Sequence, residues 1–307
     1  MDYILRTFGL CKKYKNQMAV NHADMTIRKG DIYGFVGENG SGKTTIIRLI
    51  TGLIFPYAGS FELFGVSNKD PKIGEVRRKV GAVVESPSIY QNMSARENLQ
   101  MQCMVLGIED NGKILRTLQI VGLADLYEES KHAGDYSLGM RQRLGIAMAL
   151  LGDPEFLILD EPMNGLDPAG IVEIRELILR LNREHGITFL ISSHILTELS
   201  LVATKYGIIS KGHIIKEITA EQLHQECGKL TVIQTNDTAA LETVLRTVLP
   251  EHTITYVPDG VKIVGEVDLN AVLQAVLAAG IRITSINCTE SSFEDYYLSV
   301  IGGGRNG

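Results

Sequence analysis

An α/β architecture, a largely parallel sheet covered on both faces and followed by a small α+β domain, is predicted by three observations. Short apolar runs alternate with helix-length stretches across residues 1–228. One of these runs, Asp31–Val36, leads directly into the glycine-rich segment Gly37-Glu38-Asn39-Gly40-Ser41-Gly42-Lys43-Thr44. Beyond residue 228 the order becomes strand, helix, two strands, helix, strand.

Residues 3–35 alternate apolar and polar positions in short runs, which predicts an antiparallel edge region feeding the strand at Asp31–Val36. A helix is expected to open near Thr45. Val80–Glu85 reads as a buried strand, and residues 94–151 as mostly helical, with Leu144–Leu151 apolar nearly all round. Phe156–Leu159 is a short apolar strand, expected beside the loop strand, that ends in Asp160-Glu161. Ile171, Ile174, Ile178 and Leu181 form a helical stripe before a strand at Thr188–Ser192. The C-terminal pattern is the split βαβ of ferredoxin-like domains, and places a second domain at 229–301. The tail 302–307 is expected to be disordered.

Bulk properties narrow the function. The chain has 307 residues, 45% hydrophobic and 21% charged, as expected of a globular protein with a sizeable core. Its net charge of −6 argues against a duplex nucleic acid partner. The four cysteines are scattered, without a metal-ligand or disulfide spacing. No secretory leader is legible in Met1–Leu10, and no long apolar run suggests a membrane span. A cytoplasmic setting follows as the expectation.

The glycine-rich segment has the chemistry of a phosphate cradle. Glycines 37, 40 and 42 permit a tight turn whose N–H groups converge on an anion, and a helix starting there adds its positive end. Amides from Gly37 through Asn39, Gly40, Gly42 and Thr45 are candidate phosphate contacts. Lys43 reaches the terminal phosphates of a nucleotide and the Thr44 hydroxyl ligates Mg²⁺. Asp160 is a candidate for holding the metal, and Glu161 for orienting or deprotonating an attacking water. Ser137 and Gly139 place a hydroxyl and a bare N–H at a helix N-terminus, a second anion-binding device. His194, at the end of a strand, faces the ligand crevice of a parallel sheet.

In this order, Gly37–Thr44, Ser137–Gln142, Phe156–Glu161, Asn164–Asp167 and His194 resemble the ATP-binding cassette (ABC) family of ATPases over about residues 1–225. The resemblance implies a phosphate-loop ATPase domain, with a mixed-sheet core and a helical subdomain, that binds ATP and Mg²⁺. It also implies that Tyr14 stacks on adenine, that Glu161 is the catalytic base, and that His194 contacts the γ-phosphate or the water. Ser137–Gly139 of a second ATPase subunit, in a homodimer, would close over the same nucleotide.

Two positions depart from the family pattern. Leu138-Gly139-Met140 replaces Gly-Gly-Gln, and Glu85 stands where the family has a Gln that contacts the metal. Glu85 is therefore a candidate Mg²⁺ ligand that tunes metal affinity and turnover. The stretches Glu85–Tyr90, Glu97-Asn98-Leu99 and Tyr136–Leu144, with Ser292–Tyr297, are similar to export ATPases of bacitracin and lantibiotic resistance or immunity. That similarity implies a membrane-spanning permease partner and a peripheral place on the cytoplasmic face of the membrane. The alternative is an ABC ATPase of translation or DNA repair, not coupled to transport. Translation types usually carry two cassettes, and repair types insert a long coiled coil for which the 94 positions between Lys43 and Ser137 leave no room.

Overall fold

The computed structural model describes residues 3–227, 229–250, 252–257, 259–290 and 292–302. Contacts divide the chain into units Met1–Ala220 and Glu221–Gly307, whereas the sequence pattern puts the change at 228.

The first unit opens with β1 (Tyr3–Tyr14), β2 (Gln17–Ala23) and β3 (Thr26–Arg28). β4 (Ile32–Val36) is buried at every position, as a strand covered on both faces must be. α1 (Lys43–Thr51) follows the glycine-rich loop, and then β5 (Ala58–Leu63) and β6 (Val66–Ser67). β2, β1, β5 and β6 form an antiparallel sheet, with β3 also on β1.

α2 (Ile73–Arg77) and β7 (Val80–Val83) precede the helical segment α3 (Ala95–Leu106), α4 (Lys113–Ile120) and α5 (Leu138–Leu150). β8 (Phe156–Asp160), α6 (Pro168–His185), β9 (Thr188–Ser193), α7 (Leu196–Ser200), β10 (Lys205–Ser210) and β11 (His213–Thr219) complete the unit. The second sheet has the order β11-β10-β4-β9-β8-β7, parallel except for β11 at its edge. One core joins the two sheets around α1: Leu5, Leu10 and Ile27 meet Ile46, Ile47 and Ile50, with Phe35, Phe156 and Leu190 beyond them.

Two expectations are corrected. β8 does not lie beside the loop strand, because β9 pairs with both. The strand expected to reach Glu85 ends at Val83, because Glu85 adopts φ +62° and turns the backbone out of the ladder.

A partly buried polar network pins the sheet. Tyr33 is fully enclosed, and its hydroxyl donates to Glu217 Oε1 at 2.9 Å. Lys205 Nζ lies 2.9 Å from the same oxygen, and the Thr26 N–H donates to it at 3.1 Å. Burial, reinforced by Glu217, pushes the Tyr33 pKa well above its ordinary value. Glu217→Ala removes the acceptor of the buried Tyr33 hydroxyl, while Lys205 Nζ keeps the Thr26 carbonyl at 2.7 Å, and is expected to cost about 1–3 kcal/mol in urea unfolding. A loss below ~0.5 kcal/mol, the level of an ordinary surface change, is the contrary result.

The second unit contains α8 (Ala220–Glu226) from its second residue onward, then β12 (Lys229–Thr235), α9 (Thr238–Val248), β13 (Thr253–Val257), β14 (Gly260–Val264), α10 (Leu269–Ala278), β15 (Ile283–Glu290) and α11 (Phe293–Gly302). Its antiparallel sheet has the order β13-β14-β12-β15, the arrangement of a split βαβ fold. Ile233, Val261 and Ile263 pack with Leu241 and Leu245 of α9 and Val272 and Val276 of α10. Lys262 alternates with these residues along β14, and so faces the other way, where it pairs with Asp295 of α11 at 2.8 Å. Tyr296 of α11 donates to Glu226 of α8 at 2.8 Å. Gly302 closes α11, and the rest of the expected tail, 303–307, lies outside the described residues.

Candidate functional site

Parallel register aligns the carboxyl ends of three strands. Val36 of β4 is opposite Ser193 of β9, and Ser192 is opposite Asp160 of β8. Gly37, His194 and Glu161 therefore leave the sheet at one edge, where open α/β sheets bind ligands.

The glycine-rich loop wraps the start of α1. Gly37 and Ser41 are buried, whereas Asn39 and Gly40 are exposed. Gly42 is the N-cap of α1 at φ +114°, and a Cβ there would stand 2.7 Å from the Ala19 carbonyl oxygen. Glycine is required on both counts. The first turn of α1, carrying Thr44 and Thr45, has neither a side-chain cap nor an acidic residue. Its amides and its positive end remain available to an anion. Ser41 Oγ is buried without a hydrogen-bond partner, a group that a phosphate oxygen would satisfy. Lys43 is buried, and its Nζ donates to the carbonyls of Gly37 at 2.6 Å and Glu38 at 3.2 Å.

Glu161 completes this group. Its Oε1 is 3.5 Å from Lys43 Nζ, and its Oε2 is 2.7 Å from His194 Nδ1. Its backbone adopts φ +52°, a left-handed conformation unusual for a glutamate. The strained turn is held because the Glu161 N–H donates to both the Ser192 carbonyl at 3.1 Å and Ser192 Oγ at 3.0 Å. The Ser192 hydroxyl donates in turn to Asp160, whose side chain is buried. Ser192 was not singled out from the sequence, and its signal is a pair of serines closing an otherwise apolar strand.

The structure thus brings Lys43, Glu161 and His194 into contact, with Asp160 tied to the same turn through Ser192. Other candidates lie outside that contact group. Ser137 caps α5, accepting from Met140 N at 3.1 Å. Ser137 and Gly139 line a cleft of about 450 Å³ with Gly165, Leu166 and Asp167. Tyr14 ends β1 half-exposed, with Lys12 Nζ 5.3 Å from its ring centre. It sits on the β1–β2 hairpin, whose Ala19 abuts the loop at Gly42. Glu85 is paired with Arg48, its Oε1 2.5 Å from Nη2. Sequence reading did not anticipate this partner.

The segment after Glu85 is closely held. Pro87 packs on α5 at Gly145, where an added Cβ would lie 2.5 Å from that of Pro87. Asn98 is fully buried, and its side chain bonds the Tyr90 N–H at 2.8 Å and the carbonyls of Tyr90 at 3.1 Å, Met93 at 3.3 Å and Ser94 at 2.9 Å. Ser94 and Glu97 form a capping box at the start of α3. Tyr90, Met104 and Val105 are exposed nearby in sequence.

Comparison with known proteins identifies the family. The chain is 41% identical over 309 residues to a bacitracin transport ATP-binding protein of Bacillus licheniformis, covering 100% of both chains. The chain belongs to the ABC transporter ATP-binding family. The family pattern described as ABC transporter matches residues 20–164 of this ABC ATPase. A lantibiotic transport ATP-binding protein of Streptococcus pyogenes is 42% identical over 216 residues, 70% of this chain and 90% of its own. Among solved structures, cbiO1 of Clostridium perfringens, part of the ABC transporter complex cbiONQ, superposes with a TM-score of 0.65 at 25% identity. That match covers 81% of this chain and 97% of the other. The two-sheet unit with its helical segment is the ABC ATPase fold, and the protein binds and hydrolyses ATP. Among the described residues no helix is long and apolar enough to cross a membrane.

Proposed function

We propose that this ABC ATPase powers export of an antimicrobial peptide of the bacitracin or lantibiotic class through a separate membrane-spanning permease. The observation that carries the chemistry is Glu161, suspended between Lys43 and His194 at the mouth of the phosphate loop. The peptide class is supported by the transport proteins that the chain resembles, one along its entire length.

In this reading Tyr14 stacks on adenine, and the amides of Gly37–Thr45 with Lys43 hold the β- and γ-phosphates. Glu161 accepts a proton from a water that attacks the γ-phosphorus as the bond to the bridging oxygen breaks and ADP leaves. His194 orients the Glu161 carboxylate through its 2.7 Å contact. Among the described residues no cluster of three or more metal-ligating side chains is present. Mg²⁺ is usually held by one or two carboxylates together with substrate phosphates. Thr44, Asp160 and Glu85 are the residues proposed to face it, and its chemistry is neutralisation of charge on the phosphates.

Ser137 and Gly139 are exposed or half-exposed at an uncapped-by-acid helix start, and would complete the site of a second copy in a homodimer. The protein would then lie on the cytoplasmic face of the membrane, held there by its permease rather than by nucleic acid or lipid. Residues 1–228 would act as the ATPase and 229–301 as a structural or dimer-contact module.

The test is to co-purify the protein with a candidate permease of about six apolar spans and assay ATP turnover with bacitracin or a lantibiotic. Stimulation by one of these peptides, and none by unrelated peptides, is the expected result. A complex indifferent to both classes would remove the peptide assignment.

A further inference from the structure

Arg48 lies four residues beyond Thr44 on α1, so the two side chains rise from one face of that helix. Arg48 Nη2 is 2.5 Å from Glu85 Oε1. Val83, the last residue of β7, is in parallel register with Leu159 of β8. The chain that continues to Glu85 therefore emerges alongside the one that continues to Asp160 and Glu161. At Glu85 the backbone holds φ +62°, a conformation a glutamate keeps only when its surroundings impose it. The Arg48 and Glu85 side chains are 38% and 59% exposed, and an ion pair so open to solvent is readily exchanged for another partner.

We propose that Arg48 is a positioning residue, which holds Glu85 in the nucleotide-free protein and competes for its carboxylate with the Mg²⁺ of bound nucleotide. This rests on the reading of Glu85 as a metal-facing residue. The common face of Thr44 and Arg48 makes the two destinations neighbours, one helical turn apart. The guanidinium engages Glu85 Oε1 and offsets the carboxylate's charge, so it weakens that group's pull on a cation and the two engagements compete. Release of Glu85 also frees the chain that leads through Ser86 to Pro87. Pro87 is packed on Gly145 without room for a methyl group, so a displacement there bears directly on α5, which begins at Leu138 behind its Ser137 cap. The pair thereby sets the metal concentration at which the start of α5 senses the nucleotide.

The test is binding of a fluorescent ATP analogue to the full chain as Mg²⁺ is raised, for wild type, Arg48→Met, Glu85→Gln and the double variant. Arg48→Met is expected to lower the half-saturating Mg²⁺ about two- to fivefold, the range set by an exposed pair. Glu85→Gln is expected to raise it, and Arg48→Met to add nothing in the Glu85→Gln background. Hydrogen exchange over residues 84–89 in nucleotide-free protein should rise in Arg48→Met toward the level wild type reaches with MgATP. If Glu85→Gln shifts the Mg²⁺ requirement but Arg48→Met does not, the competition is wrong and the metal-facing reading stands. If Glu85→Gln leaves the requirement unchanged, that reading fails and the inference with it. An equal Arg48→Met shift in both backgrounds assigns the effect to Arg48 acting on the nucleotide itself, and overturns the proposal.

Discussion

Glu161→Gln is expected to lower ATP turnover by about two to four orders of magnitude, the usual worth of a positioned general base, while nucleotide binding is retained. The amide keeps the size of the carboxylate and can still meet Lys43 and His194, so the loop geometry should survive. It cannot accept the proton of the attacking water. A protein that closes on ATP but does not cleave it should accumulate as a dimer, since ATP is then never removed from between two copies. Phosphate release and gel filtration in MgATP measure the two effects. A variant that remains monomeric at saturating MgATP counts against closure by a second copy. Unchanged turnover would mean that the base lies elsewhere.

Lys43→Ala should produce the second large effect, a loss of ATP affinity of roughly 30- to 5,000-fold. Truncating one member of a buried, hydrogen-bonded charge contact costs about 2–5 kcal/mol, and each 1.4 kcal/mol is about tenfold. Lys43 is enclosed beneath the loop, and its Nζ already donates to two loop carbonyls. Much of its ordering is therefore complete before nucleotide arrives. Titration with a fluorescent ATP analogue measures the loss, and a thermal melt separates it from misfolding. Affinity within about threefold of wild type would dissociate Lys43 from the phosphates.

The catalytic edge was legible in the sequence because its parts are continuous in the chain. A strand, three glycines, a lysine and a threonine follow one another, and their spacing contains the turn. The same holds for Phe156–Glu161, where an apolar run ends in two carboxylates. Contacts between distant segments were not legible. Ser192 reaches Asp160 and Glu161 only because β9 inserts between β4 and β8, and strand order leaves no mark on local periodicity. Arg48 meets Glu85 across 37 positions, and in isolation it reads as an ordinary cation in the last turn of a helix. The end of β7 was misplaced for a related reason. Val84 and Glu85 extend the strand pattern, and nothing local announces a left-handed glutamate. In the second unit each element carries its own signal, including the caps Asp237 and Asp268, so the order β-α-β-β-α-β could be read directly.

The Asn98 side chain has a thermodynamic consequence for the surface around Tyr90, were a partner to seat itself there. A loop of separate polar residues would have to be immobilised at the moment of docking, at about 0.5–1.5 kcal/mol for each ordered side chain. Here the buried amide has already tied residues 90–94 to the first turn of α3, and that entropy was lost when the chain folded. Contact with the half-exposed Tyr90 ring would then carry a smaller ordering cost than contact with a mobile loop.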